Sequence, residues 1–196
     1  MRKLYQKLFA AVYDPVMAST EKVFEVNRTM LLSNLEGTIL DVGAGTGVNF
    51  RFFKQASRVI AIEPSAPMLE KAKSKITDAS IIETYNLGVN DQALENIIED
   101  GTIDNIVCTL VLCTISDPEL SLQKFKRWLK PDGRLIILEH IRSKKHIHGK
   151  LQDWANPIWK VVGEGCNLNR NTDLLIKDAG FTPVSDVYFE QSMTFY

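Results

Sequence analysis

Three glycines on alternate positions, Gly43, Gly45 and Gly47, follow directly on an apolar run that ends in an aspartate, in the stretch ILDVGAGTG (residues 39–47). Side chains are excluded where the backbone must take angles closed to L residues, or where another group lies against it. Such a loop after a short apolar run reads as the turn between a buried strand, 38–42, and a helix over about 48–55. The rhythm continues down the chain. RVIAIE (58–63) reads as a second strand. SAPMLEKAKSKI follows as a helix with Ser65 as N-cap and Pro67 in its first turn. ASIIETY (79–85) is a third strand, and IDNIVCTLVLCTI (103–115) contains a fourth, apolar on both faces. Asp117 and Pro118 open a helix with Leu122, Phe125 and Leu129 on one face. KPDG (130–133) closes it, and RLIILEH is a fifth strand. After a basic loop, Thr172 caps a helix that stops at Gly180, and FTPVSDVYFE (181–190) returns as a strand. Strands alternating with helices predict a mostly parallel sheet with helices on both faces, a doubly wound α/β fold of three αβα layers.

The chain of 196 residues suffices for one domain with a sizeable core. A net charge of −1 gives no global attraction to nucleic acid or an anionic membrane. The odd set Cys108, Cys113 and Cys166, with no CxxC pair, fits a reducing compartment better than a disulfide framework. Lys7, Asp14 and Pro15 break any secretory signal at the N-terminus, and no stretch approaches the ~18 apolar residues that span a bilayer. A cytoplasmic location is therefore expected. Leu4, Leu8, Ala11 and Val12 share one helical face and are expected to pack on the domain, peripheral membrane contact being the other use of such a face.

In folds of this class ligands bind beyond the carboxyl ends of the strands. Glu63 closes the second strand twenty residues after Gly43, where an acid accepts hydrogen bonds from ribose hydroxyls. The ligand is thus a nucleoside derivative. A dinucleotide fingerprint is GxGxxG, whereas this loop is GxGxG preceded by Asp41. A carboxylate there repels a pyrophosphate and suits an ammonium or sulfonium. S-adenosylmethionine carries both. The rival class is a NAD-dependent oxidoreductase.

LDVGAGTG, VIAIEPSAPML, DNIVCTLVLCTI and FKRWLKPDGRLIILEHI resemble the successive motifs of class I S-adenosylmethionine-dependent methyltransferases, from about residue 36 to the end. CTLVLC, LEHI and GCNLNRNT are similar to the small methyltransferase-like thiol methyltransferases, with the phospholipid N-methyltransferases and ubiquinone/menaquinone C-methyltransferases more distant. The resemblance implies a Rossmann-like methyltransferase domain: a helical N-terminal cap over 1–35, a cofactor-binding core over 36–141, and an acceptor-side segment with C-terminal strands over 142–196. It implies that Asp41, Gly43, Ala44 and Gly45 hold the methionine end and Glu63 the ribose. Pro64, Met68, Gly88 and Val89 would line the adenine, and Thr109 and Leu110 would floor the methyl group. Many relatives place an aspartate after strand three. NLGVND leaves that contact to Asn90 or to the backbone. Relatives also continue past MTFY, so the chain is expected to stop within its last strand.

Methyl transfer is an in-line displacement that depends mainly on alignment, worth ~7–11 kcal/mol, and a thiol of pKa about 8.5 needs no dedicated base. His140, after Glu139 at the end of strand five, is the candidate general base, against a structural histidine. Asp153 reads as an N-cap or solvated side chain, and Cys113 as a small hydrophobe. The HIH run (146–148) lacks a third ligand at metal-binding spacing, so no metal is expected. RSKKHIHGK (142–150) reads as a solvated loop that could take a phosphate headgroup. LQDWANPIWKVVGEGCNL (151–168) favours an apolar small-molecule acceptor, presenting a thiol, an amine or an activated carbon, over nucleic acid. A phospholipid N-methyltransferase at a membrane surface and a non-catalytic methyltransferase-like module are the further alternatives.

Overall fold

A computed structural model of the chain describes residues 2–76, 78–185, 187–191 and 193–195. The chain divides into two compact units, Met1–Val107 with Arg127–Ile136, and Cys108–Lys126 with Ile137–Tyr196.

The first unit opens with α1 (Arg2–Leu32), a helix that carries Pro15. Phe24, Arg28 and Leu32, each four residues on from the last, form its buried face, which Ala10 continues. The row Leu4, Leu8, Val12 lies on the other side of a 3.6-residue helix from Phe24. That row, with Ala11, does not pack as expected but faces outward, Leu4 being 74% exposed.

The strands follow as β1 (Gly37–Val42), β2 (Ala56–Ile62), β3 (Ile82–Tyr85), β4 (Ile103–Thr109) and β5 (Leu129–Leu138). They form a five-stranded sheet in the order β3-β2-β1-β4-β5. β1 and β2 are parallel with Asp41 opposite Ala61, and β2 and β3 are parallel with Ile62 opposite Tyr85. Ile39, Val59, Ala61 and Val107 bury one continuous core with Phe50 and Phe53. α2 (Ala66–Lys73) has Ser65 as N-cap and Pro67 in its first turn, as expected, and buries Met68, Leu69 and Ala72.

The helix expected over 48–55 is only a 3₁₀ turn, Phe50–Phe52. Phe50, Phe52 and Phe53 are all buried, and three such neighbours cannot share one helical face. The apolar run 103–115 stops being strand at Thr109, because Leu110 takes a left-handed φ of 56°. KPDG does not form a turn before β5 but lies inside it. Pro131 is tolerated because β5 is an edge strand.

The second unit contains most of α3 (Pro118–Trp128), then β6 (His140–Ile141), α4 (His146–Val162), α5 (Thr172–Asp178), β7 (Phe189–Gln191) and β8 (Met193–Phe195). On α3 the buried aromatic after Leu122 and Phe125 is Trp128, while Leu129 already belongs to β5. Asn171, not Thr172, is the N-cap of α5. The strand expected over 181–190 is reduced to β7 at its end, in a small antiparallel sheet of order β6-β8-β7. Tyr196, in the segment expected to be cut short, lies outside the described residues.

α4 replaces the loop read over 142–150. Its seventeen residues include HIH in the first turn, with Gly149 and Pro157 inside, two residues that interrupt a helical pattern in sequence. Ile147, Leu151, Trp154, Ile158 and Val161 recur at helical spacing and face outward, Trp154 being 78% exposed. No helix among the described residues is long and apolar enough to cross a membrane.

Candidate cofactor site and a buried sulfur–imidazole cluster

The glycine loop explains itself through its backbone. Gly43, Gly45 and Gly47 have φ of 64°, 58° and 77°, the left-handed region that other residues enter at a cost. At Gly45 there is room for a Cβ, the nearest atoms being 3.8 Å away. Conformation alone requires that glycine. At Gly47 a Cβ would come within 3.0 Å of the Ala72 backbone and the Phe50 ring, so the loop is pressed onto α2. Because only a 3₁₀ turn follows, Gly47 does not open the helix expected over 48–55.

Around Gly45 the structure brings together several of the expected residues. Glu63 Oε2 accepts the Gly45 N–H at 3.0 Å, and its Oε1 accepts the Ser65 N–H at 2.7 Å. The Met68 methyl lies 3.8 Å from where a Gly45 Cβ would stand, and Pro64 lies 3.9 Å from the corresponding point of Gly88. Ala44 N–H donates to Ile62 O at 3.0 Å, which ties the loop to β2. Val89 is buried beside Gly88. Asp91, passed over in sequence for Asn90 or the backbone, accepts the Gly88 N–H at 2.6 Å.

Asp41 is fully buried at the end of β1. Its Oδ1 accepts from Asn49 Nδ2 at 2.8 Å, and Asn49 Oδ1 in turn accepts from the Arg28 guanidinium, which pairs with Glu21. Arg28 and Asn49 were missed in sequence, since an arginine on a helix reads as solvated. Asp41 Oδ2 has no hydrogen-bond partner among the described residues. Burial pushes the carboxyl from 3.8 up to about 7, against the lowering pull of Asn49 and Arg28. A buried, unsatisfied carboxylate oxygen beside an open glycine loop fits a ligand that brings an ammonium. A hollow of about 450 Å³ also borders this loop, between Gly47 and Val48 and the α1 residues Tyr13, Asp14 and Met17.

Thr109 and Leu110 lie on the second-unit part of the chain. Leu110 donates its N–H to Leu138 O at 2.8 Å. His140 does not end β5 but opens β6, opposite Phe195 of β8. It is buried, with Nε2 3.3 Å from Asn167 O and 3.5 Å from Cys166 Sγ. Cys113, expected to be a mere hydrophobe, joins the same cluster, whose ligand-capable atoms all lie within 4.8 Å of one another. Their separation along the chain, 113, 140 and 166, matches no motif, which is why the sequence did not reveal it.

The cluster is polarised. Contact with Cys113 holds Cys166 down at about 5 despite burial, with His140 and Trp159 helping, while Cys166 and burial push Cys113 up. Burial draws His140 down, but Cys166, the Glu139 carboxylate and the Asn167 carbonyl together outweigh it, and the imidazole ends above its ordinary value. Burial raises Glu139 to about 7, opposed by His140 and by the Leu112 and Val111 N–H groups. Asp153 is not an N-cap but is an exposed side chain, as the other expectation had it. It sits within α4 and pairs with Arg142 at 2.8 Å and Asn169 at 3.0 Å.

Residues 40–137 match the methyltransferase domain family. The chain is 33% identical over 187 residues to thiol S-methyltransferase TMT1B of Rattus norvegicus, covering 92% of this chain and 75% of that one. The human thiol S-methyltransferase TMT1A is 32% identical over 188 residues, covering 89% of this chain and 72% of that one. The chain belongs to the class I S-adenosylmethionine-dependent methyltransferases. Its fold agrees with that of a Leishmania major S-adenosylmethionine-dependent methyltransferase at a TM-score of 0.68, with 16% identity over 99% of this chain and 80% of that one. This methyltransferase takes S-adenosylmethionine as its cofactor and moves the methyl group to a small acceptor.

Proposed function

We propose that the first unit binds S-adenosylmethionine at the glycine loop and that the acceptor is a thiol. Asp41, with Gly43, Ala44 and Gly45, is assigned to the methionine end, and Glu63 to the ribose. Pro64, Met68, Gly88 and Val89 are assigned to the adenine. The convergence of Gly45, Glu63 and Met68 with the unsatisfied Asp41 Oδ2 supports this reading. The bound cofactor supplies an electrophilic methyl group. The protein's task is to hold it in line with a nucleophile and away from water. The thiol assignment rests on the likeness to two thiol S-methyltransferases over about nine-tenths of the chain.

Calorimetry is expected to show binding of S-adenosylmethionine and S-adenosylhomocysteine and none of NAD. A transfer screen with labelled cofactor, offering alkyl thiols, phosphatidylethanolamine, quinol precursors and RNA, decides the acceptor. Label on thiols is the expected result, and label on RNA alone would overturn the small-acceptor reading. A second reading, work at a membrane surface, is favoured by the outward apolar stripe of α4. Label on the phospholipid alone would select it.

A further inference from the structure

We infer that Cys113, His140 and Cys166 form a site for one divalent cation of the zinc class, with a coordination position left open for a sulfur ligand. Two thiols and an imidazole are the donor set that such a borderline-soft cation selects. The three come from separate places in the second unit: the turn after β4, the first residue of β6, and the loop after α4. Tetrahedral zinc, with Zn–S of about 2.3 Å and Zn–N of about 2.0–2.1 Å, has an S···N edge of about 3.5 Å. Cys166 Sγ and His140 Nε2 already stand 3.5 Å apart. All three donor atoms fall within 4.8 Å of one another, so one ion can reach them with little rearrangement.

The surroundings hold the donors in place. Asn167 donates its backbone N–H, at 3.0 Å, and its side-chain amide, at 2.9 Å, to the Cys113 carbonyl. The Arg170 guanidinium donates to the carbonyls of Leu112 and Ile115 on either side of that turn. The Trp159 indole N–H donates to Cys166 Sγ at 3.2 Å, the kind of outer hydrogen bond that orients a metal-bound thiolate. A separate observation also asks for a ligand. Glu139 Oε2, next in the chain to His140, is buried with no hydrogen-bond partner among the described residues.

Structural zinc sites close with four protein ligands, whereas three leave a place for water or substrate. A thiol R–SH entering that place gives its proton to water and keeps its sulfur electron pair on the metal, so the sulfur stays anionic at neutral pH. This part deepens the thiol reading above and rests on it. His140 is then a ligand and not a general base.

The test uses the full chain, reduced and freed of metal by chelation, titrated with zinc in competition with a chromophoric chelator and with cobalt as a coloured substitute. One equivalent of zinc is expected, and the cobalt form is expected to show sulfur-to-metal charge-transfer absorption. Cys166→Ser and His140→Gln, with folding confirmed by circular dichroism, should weaken uptake by more than the ~10–100-fold typical of losing an outer-shell partner. Cys108→Ala should leave uptake unchanged. A reduced chain that takes up no zinc, or unchanged uptake in folded Cys166→Ser, would overturn the site. A small alkanethiol should shift the cobalt spectrum, and metal uptake without that shift would overturn the open position. A shifted spectrum without methylation of any thiol would leave the site standing and remove the thiol reading of the enzyme.

Discussion

Below pH 7 the buried carboxyl of Asp41 keeps its proton, because burial raises it from 3.8 to about 7. A carboxyl raised in the folded state contributes stability that is full below about pH 4 and is lost as pH rises through 7. A ligand that brings an ammonium to Oδ2 favours the ionised form and reverses that dependence locally. S-adenosylhomocysteine should therefore bind about tenfold more tightly at pH 8 than at pH 6, one pKa unit being a factor of ten. Calorimetry across that range, with Asp41→Asn flattening the profile, checks it. Glu63→Gln keeps one acceptor oxygen and should weaken cofactor binding by about 1.5–3 kcal/mol, the scale of a charge-assisted hydrogen bond. An unchanged dissociation constant in the folded variant would remove the ribose assignment. That Asp41 and Glu63 lie at strand ends beside the glycine loop was legible in sequence, because both stand at fixed distances from the glycines. Asn49, Arg28 and Asp91 were not, because what defines them is a partner brought close by folding.

At the scale of elements, β1 begins on a constraint that no periodicity shows. Gly37 has φ of 75°, and a Cβ there would meet Asp104 Oδ2 at 2.4 Å. That carboxylate accepts the Thr38 N–H at 2.8 Å and pairs with Lys130 at 2.7 Å. Gly37→Ala should thus cost about 2–4 kcal/mol through backbone strain and displacement of Asp104, read as a fall in the urea midpoint at constant slope. β1, β2 and α2 were readable because local preference and burial agree there. The stretch 48–55 and the run beyond Thr109 misled because apolar composition does not say where a chain must turn. α4 was hidden by Gly149 and Pro157 and by an apolar face that does not point into a core.

For the whole molecule, that outward face is the largest departure from what the sequence implied. Ile147, Leu151, Trp154 and Ile158 stand on it, with Lys144, Lys145 and Lys150 near its start. The chain should co-sediment with anionic vesicles, less so as salt rises, and Trp154→Glu with Ile158→Glu should abolish the association while leaving cofactor binding intact. Full vesicle binding by the double variant would exclude α4 as the contact. The fold class and cofactor were legible because a loop and a strand end, both local, carry them. The sulfur–imidazole cluster was not, since its members share neither element nor spacing. The chain from Arg28 through Asn49 to Asp41 has one more effect, seen in time rather than space. Occupancy of Asp41 and docking of α1 share a linkage free energy, and linkage is reciprocal. Saturation with S-adenosylhomocysteine should slow hydrogen–deuterium exchange at the amides of residues 24–32, far more than Arg28→Lys permits, and whatever frays that helix loosens the cofactor by the same factor.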